Sequence, residues 1–149
     1  MERILVSACL LGIGCRYDGK EKGNAKVIRL AQQEGIQLVP VCPEQFGGLP
    51  IPRVPSERCG DLVKNRDGID VTAQYEKGAR EAWKMAQIFD CKYAILKEKS
   101  PSCGSGEVYD GTFSKNLIPG DGVTTEYLKA RGVKVYGESQ LEALLQELI

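Results

Sequence analysis

The sequence of 149 residues contains no histidine. That absence removes the commonest general base and the commonest nitrogen ligand of zinc, copper and non-haem iron, so a reactive site must use sulfur, carboxylate, hydroxyl, amine or backbone groups. Net charge is also missing: twenty basic residues balance twenty acidic ones, which leaves no broad electrostatic footprint for nucleic acid or an anionic membrane surface. No segment approaches the apolar run that spans a bilayer, and the opening stretch Ile4-Leu5-Val6 is too short for a signal-peptide core. A cytoplasmic protein with a small-molecule partner is expected, with no nucleic acid and no membrane. Nor does any pair of cysteines show the Cys-x-x-Cys spacing of zinc ribbons and thioredoxin-like redox sites; the nearest are Cys9 and Cys15.

Six cysteines are present, and in a reducing compartment they read as metal-binding or catalytic before they read as a disulfide framework. Three of them, Cys9, Cys42 and Cys103, follow apolar β-favouring runs. Those runs are Ile4 to Val6, Ile36 to Val41 and Tyr93 to Leu96, with Val133 to Tyr136 as a fourth. Between and after them, helices are predicted over Asn24 to Glu34, Thr72 to Phe89 with a threonine cap, Thr124 to Arg131 ending at Gly132, and Ser139 to Ile149. The alternation predicts an α/β fold in a single domain, 1-149. Its form is a three-layer, Rossmann-like or flavodoxin-like mostly parallel sheet with helices on both faces. Two long irregular stretches, Cys42 to Ile69 and Lys97 to Thr124, interrupt it and are expected to be functional. In the second, the Asp110-Gly111 pair flanked by aromatic and β-branched residues predicts a small tight hairpin flap.

In an open parallel sheet, ligands bind outside the carboxyl ends of the strands. Cys9, Cys42 and Cys103 can therefore meet there. Three sulfurs at a soft site suit an iron-sulfur cluster, and three protein ligands leave one iron open. Glu44 lies two residues after Cys42 and Ser100 three before Cys103; with no histidine available, Glu44 is the candidate general base. Ser100 could relay a proton or bind substrate, though a serine before proline also shapes turns. Gly12-Ile13-Gly14-Cys15-Arg16-Tyr17 is a weak dinucleotide signal, since Tyr17 stands where a third glycine belongs. Arg16, Arg53 and Arg58 are candidate anion-binding residues. Cys91, beside an apolar strand, reads as a small buried hydrophobe, and Trp83, Met85 and Phe89 read as core packing.

Several segments taken together resemble the thiouracil desulfidase family. They are Ser7-Ala-Cys9-Leu-Leu-Gly12 with Cys15-Arg-Tyr-Asp-Gly19; Cys42-Pro-Glu44 with Gly47-Gly-Leu and Pro52-Arg53; Gly68-Ile-Asp-Val-Thr72; Lys99-Ser-Pro-Ser-Cys103-Gly104; Tyr109-Asp-Gly111; and Gly120-Asp-Gly-Val-Thr124. The likeness runs from residue 4 to about residue 136. It implies a 4Fe-4S cluster held by Cys9, Cys42 and Cys103, whose unligated iron captures the sulfur of a thiolated nucleobase or nucleotide. It further implies that Glu44 activates water, that Ser100 assists proton transfer or orients the substrate, and that hydrosulfide leaves without net redox change. Cys15 falls in the family-like opening segment as a further ligand or a cluster-proximal residue. Two other readings stay open: a cluster enzyme acting on a different sulfur or hydroxy substrate, and a non-catalytic metal- or nucleotide-binding α/β module.

Overall fold

The computed structural model describes residues 1–21 and 23–148. Four strands form one parallel sheet: β1 (Glu2–Ser7), β2 (Ile36–Val41), β5 (Tyr93–Leu96) and β8 (Lys134–Gly137), in the order β2-β1-β5-β8. The strands read from the sequence occupy these positions, β2 and β5 with the same ends. Strand β1 is central, and its alternating side chains explain why both sheet faces are covered. Leu5 packs with Val39, Val41, Ala94 and Leu96 against α3 (Thr72–Ile88) and α4 (Val123–Ala130), with Trp83, Met85 and Phe89 at the margin of that core. Ile4, Val6 and Ile95 pack on the other face against α1 (Ala25–Ala31) and α5 (Leu141–Glu147). Pro40, which cannot donate to a ladder, sits in the edge strand β2, where only one side is paired.

Asn24 caps α1 as its residue type suggests, its Oδ1 accepting from Lys26 N at 3.0 Å and Val27 N at 3.2 Å. The predicted threonine cap of α3 is not formed. Val71 occupies the cap position, and the Thr72 hydroxyl instead accepts from Val63 N at 2.8 Å, while Asp70 Oδ1 accepts from Thr72 N. Thr72 therefore ties the helix start to a hairpin that the sequence did not announce, β3 (Ser56–Cys59) with β4 (Leu62–Asn65), inside the first irregular stretch. The flap hairpin exists as β6 (Glu107–Tyr109) with β7 (Leu117–Pro119), but its turn is seven residues wide, not a tight Asp-Gly turn. Asp110 spends its carboxylate on Thr112 N, Thr112 Oγ1 and Asn116 Nδ2, which opens the turn into a folded loop. The last predicted helix begins as a short 3-10 turn, Glu138–Gln140, before α5; Ile149 lies outside the described residues.

One short helix matters more than its length suggests. Helix α2 (Pro43–Phe46) follows β2 directly and lies against α3 with backbone touching backbone. A Cβ on Gly47 would overlap the Gln74 carbonyl oxygen, and one on Gly78 would overlap the Pro43 carbonyl oxygen. These two glycines fix the segment Cys42-Pro43-Glu44 against the long helix.

Candidate active site

The chain reverses its direction of sheet growth between β1 and β5, and at such a switch point the strand-end loops diverge and leave a crevice. A cavity of about 470 Å³ opens there. After β1, a 3-10 turn over Ala8–Leu11 carries Cys9 and closes on Gly12, whose φ of 88° places it in the left-handed region. After β2, Cys42 is the residue before α2. After β5, the loop 97–104 brings Cys103, and Lys97 N donates to Ser7 Oγ at 2.9 Å, binding this loop to the end of β1.

Cys9, Cys15, Cys42, Cys103, Glu44, Ser100, Arg16 and Arg53 all line this cavity. Arg58 does not. Its guanidinium reaches Gly60 O, Asp121 O and the Glu126 carboxylate, bracing β3 to α4. Cys59 is exposed and Cys91 is buried in the α3/α4 core, neither of them in the cavity lining.

The thiols are crowded and mostly out of water. Cys15 and Cys103 are 3 % and 5 % exposed, and Cys42 Sγ lies 3.7 Å from the Cys15 carbonyl oxygen. The neighbouring Cys15 thiol, and burial after it, push the Cys42 thiol far above its ordinary range. Burial lifts Cys103 to about 12. At Cys15 a lowering influence from Cys42 is outweighed by Cys9 and burial, leaving the thiol at about 11. Such groups keep their protons until a cation takes the proton's place, which is the electrostatic condition of a metal centre. Among the described residues no three of Cys, Asp, Glu and His stand close enough to hold a single metal ion. The donor set that lines the cavity, several thiols with no imidazole, has the chemistry that an iron-sulfur cluster takes.

Glu44 stands beside the thiols in a fixed pose. Arg53 Nη2 and Nε donate to Glu44 Oε2 at 2.7 and 3.0 Å, and Nη2 also donates to Cys15 O at 3.1 Å. Both side chains are largely buried, 7 % exposed for Arg53 and 16 % for Glu44. Arg53 is therefore occupied by the protein, not held open for an anion. Arg16 keeps a looser contact with Asp18 at 3.7 Å. Ser100 Oγ accepts from Ser102 N at 3.1 Å and Cys103 N at 3.0 Å, so it shapes the turn that presents Cys103 while its own proton remains to be donated.

The pattern of the 2-thiouracil desulfurase family matches residues 4–140. The chain belongs to that family. An uncharacterized protein YbbK of Bacillus subtilis (strain 168) is 40 % identical over 152 residues, covering 95 % of this chain and 99 % of its own. A solved structure of the [4Fe-4S]-dependent thiouracil desulfidase TudS is 43 % identical, with both chains covered in full and a TM-score of 0.92.

Two lining residues carry no sequence signal of their role. Tyr75, on α3, is an aromatic at apolar helical spacing, which reads as core packing. Glu57, in the unannounced hairpin, reads as a solvated charge, yet its Oε1 accepts from Gly111 N at 3.0 Å and Phe113 N at 3.1 Å.

Proposed function

We propose that this desulfurase-family chain removes sulfur from a thiolated pyrimidine, converting C=S to C=O with water and releasing hydrosulfide, at a 4Fe-4S cluster held by Cys9, Cys42 and Cys103. One observation carries the reading. Three strand-end thiols and a carboxylate fixed by arginine converge on one cavity, in a chain 43 % identical over its full length to a [4Fe-4S]-dependent thiouracil desulfidase. When bound, a cluster with three thiolate ligands supplies one open iron as a Lewis acid for the thiocarbonyl sulfur.

The chain's own residues do the rest. A carboxylate has about four acceptor positions, so pairing with Arg53 leaves Glu44 able to take a proton from the attacking water. The Ser100 hydroxyl, already an acceptor of two backbone N–H groups, has its proton free for the substrate or the departing sulfur. Arg66, Lys99 and Lys115 line the cavity and form no ion pair among the described residues. They suit an anionic substrate, and a nucleoside monophosphate of 4-thiouridine fits them better than a free base. Thiolate-held iron also suits a reducing compartment, so the cytoplasm is the proposed location.

Protein reconstituted without oxygen is expected to hold about four irons and four sulfides per chain. It should release one hydrosulfide per uracil formed from 2-thiouracil, with a lower KM for 4-thiouridine monophosphate. Equal activity in metal-free protein, or no sulfide from either compound, would overturn the reading. The flap contributes through Glu57, which straps the loop bearing Phe113 and Lys115 down beside the cavity. Glu57→Ala is expected to raise KM about five-fold with a smaller change in kcat, because a loosened loop must be ordered each time substrate binds. Steady-state kinetics on the reconstituted variant checks this.

A further inference from the structure

The loop between β6 and β7 is held as a preformed platform at the cavity. Asp110 N donates to Asn116 O at 3.0 Å and Asn116 Nδ2 to Asp110 Oδ2 at 2.9 Å, closing its neck. Within the loop the residues alternate. Thr112 and Ser114 are exposed and share a hydrogen bond between their hydroxyls, whereas Phe113 and Lys115 line the cavity. Both cavity residues have a left-handed backbone, with φ of 58° and 63°. That conformation is costly for a bulky side chain and persists only where the surroundings enforce it. At Phe113 the enforcement comes from Glu57, whose Oε1 accepts from Phe113 N at 3.1 Å. A parallel bridge between Lys99 and Val108 of β6 ties the same flap to the loop that carries Ser100 and Cys103.

Packing in the core does not account for the strain at Phe113. The residue is only half-buried and belongs to none of the three buried apolar clusters among the described residues. Tyr17, Tyr75 and Tyr109 also line the cavity, but Phe113 is the aromatic there that has no polar tip and a positive φ. A ring clamped at a cavity wall, outside the core, has its apolar surface to offer a ligand.

We propose that Phe113 is a specificity-determining residue, its ring the face on which the planar pyrimidine ring stacks, so that flat conjugated thiocarbonyl compounds are preferred over puckered ones. This rests on the reading that the substrate is a thiolated pyrimidine. Stacking uses the π-face of the heterocycle and none of its hydrogen-bonding edge, which leaves the thiocarbonyl and ring N–H groups to the polar groups of the cavity. Because the loop is ordered before the ligand arrives, little of the stacking free energy is consumed in ordering it.

Phe113→Leu keeps an apolar side chain and a Cβ on the same backbone while removing the π-face. In reconstituted enzyme it is expected to raise KM for 2-thiouracil about tenfold, with kcat changed by less than about twofold. Iron content and thermal midpoint should match wild type, and Phe113→Trp should keep KM within about twofold. The deciding measurement is calorimetric and needs no turnover. Uridine monophosphate should bind wild-type holoenzyme about tenfold more tightly than 5,6-dihydrouridine monophosphate, whose ring is puckered, and Phe113→Leu should bring the two within about twofold. Equal weakening of both nucleotides by Phe113→Leu overturns the proposal, because a residue that only shapes the loop acts on both alike. An unchanged KM in Phe113→Leu overturns it too, as does wild-type holoenzyme that binds the two nucleotides equally. Sulfide release from 2-thiouracil alongside any of these results leaves the desulfidase reading standing. Wild-type holoenzyme that binds neither nucleotide and releases no sulfide overturns that reading, and this one with it.

Discussion

Glu44→Gln is expected to lower sulfide release about 10²- to 10⁴-fold, the range for loss of a positioned general base. Glutamine keeps the shape and one acceptor oxygen, so Arg53 can still find a partner where Glu44 Oε2 now lies. What is lost is the charge and the capacity to take a proton. No other group in the cavity can replace it. Histidine is absent from the chain, Glu98 is turned away onto Ser139, and Glu57 is spent on Gly111 and Phe113. Because Glu44 contributes no sulfur, the iron and acid-labile sulfide of the variant should equal those of wild type, and KM should change little. That combination separates an enzyme from a storage or sensing module, which has no use for a carboxylate beside its thiolates. Single-turnover sulfide release by reconstituted Glu44→Gln at wild-type rate would sink the catalytic role. A parallel fall in iron content would instead make Glu44 a structural partner of Arg53.

How much of this was legible in the sequence follows from the range of the forces involved. Strands β1, β2 and β5 are short apolar runs between turn-forming segments, and their parallel pairing follows from the helices between them, so the sheet and its carboxyl edge could be read directly. Cys9, Cys42 and Cys103 could be placed at that edge for the same reason. The pairing of Arg53 with Glu44 could not, because it depends on the path of an irregular loop across nine residues. The β3/β4 hairpin was hidden for a similar reason: Ser56–Cys59 and Leu62–Asn65 are polar, and only Val63 among them is fully buried. Asp110-Gly111 misled because side-chain hydrogen bonds to Thr112 and Asn116 outcompeted the tight turn that the dipeptide favours.

Cys103→Ala is expected to abolish both cluster binding and sulfide release, and the structure of its loop makes the result readable. Alanine keeps the Cβ, and the backbone at 103 is held by groups other than the thiol. Cys103 N donates to Ser100 Oγ at 3.0 Å, the Thr125 hydroxyl donates to Cys103 O at 2.8 Å, and Ser102 and Thr124 share a buried hydroxyl pair at 2.8 Å. Gly122 lies directly on the Ser102 carbonyl group, so α4 supports the loop from below. The chain should therefore fold, losing only about 1 kcal/mol for the sulfur removed from a tight site. With one of three ligands gone, two thiolates would have to retain a cluster exposed to solvent, and reconstituted protein should contain little iron. Cys9→Ala and Cys42→Ala should behave alike, whereas Cys59→Ala, an exposed position outside the cavity lining, should keep its iron and its rate. Cys15→Ala discriminates within the set. Cys15 lines the same cavity as the other three, and its carbonyl oxygen lies 3.7 Å from Cys42 Sγ. If Cys9, Cys42 and Cys103 are the ligands, Cys15→Ala retains iron; if Cys15 is one of them, it does not, and one of the other three becomes dispensable. Full iron and full activity in reconstituted Cys103→Ala would remove the three-cysteine centre altogether, because no other thiol reaches the cavity from the β5 side.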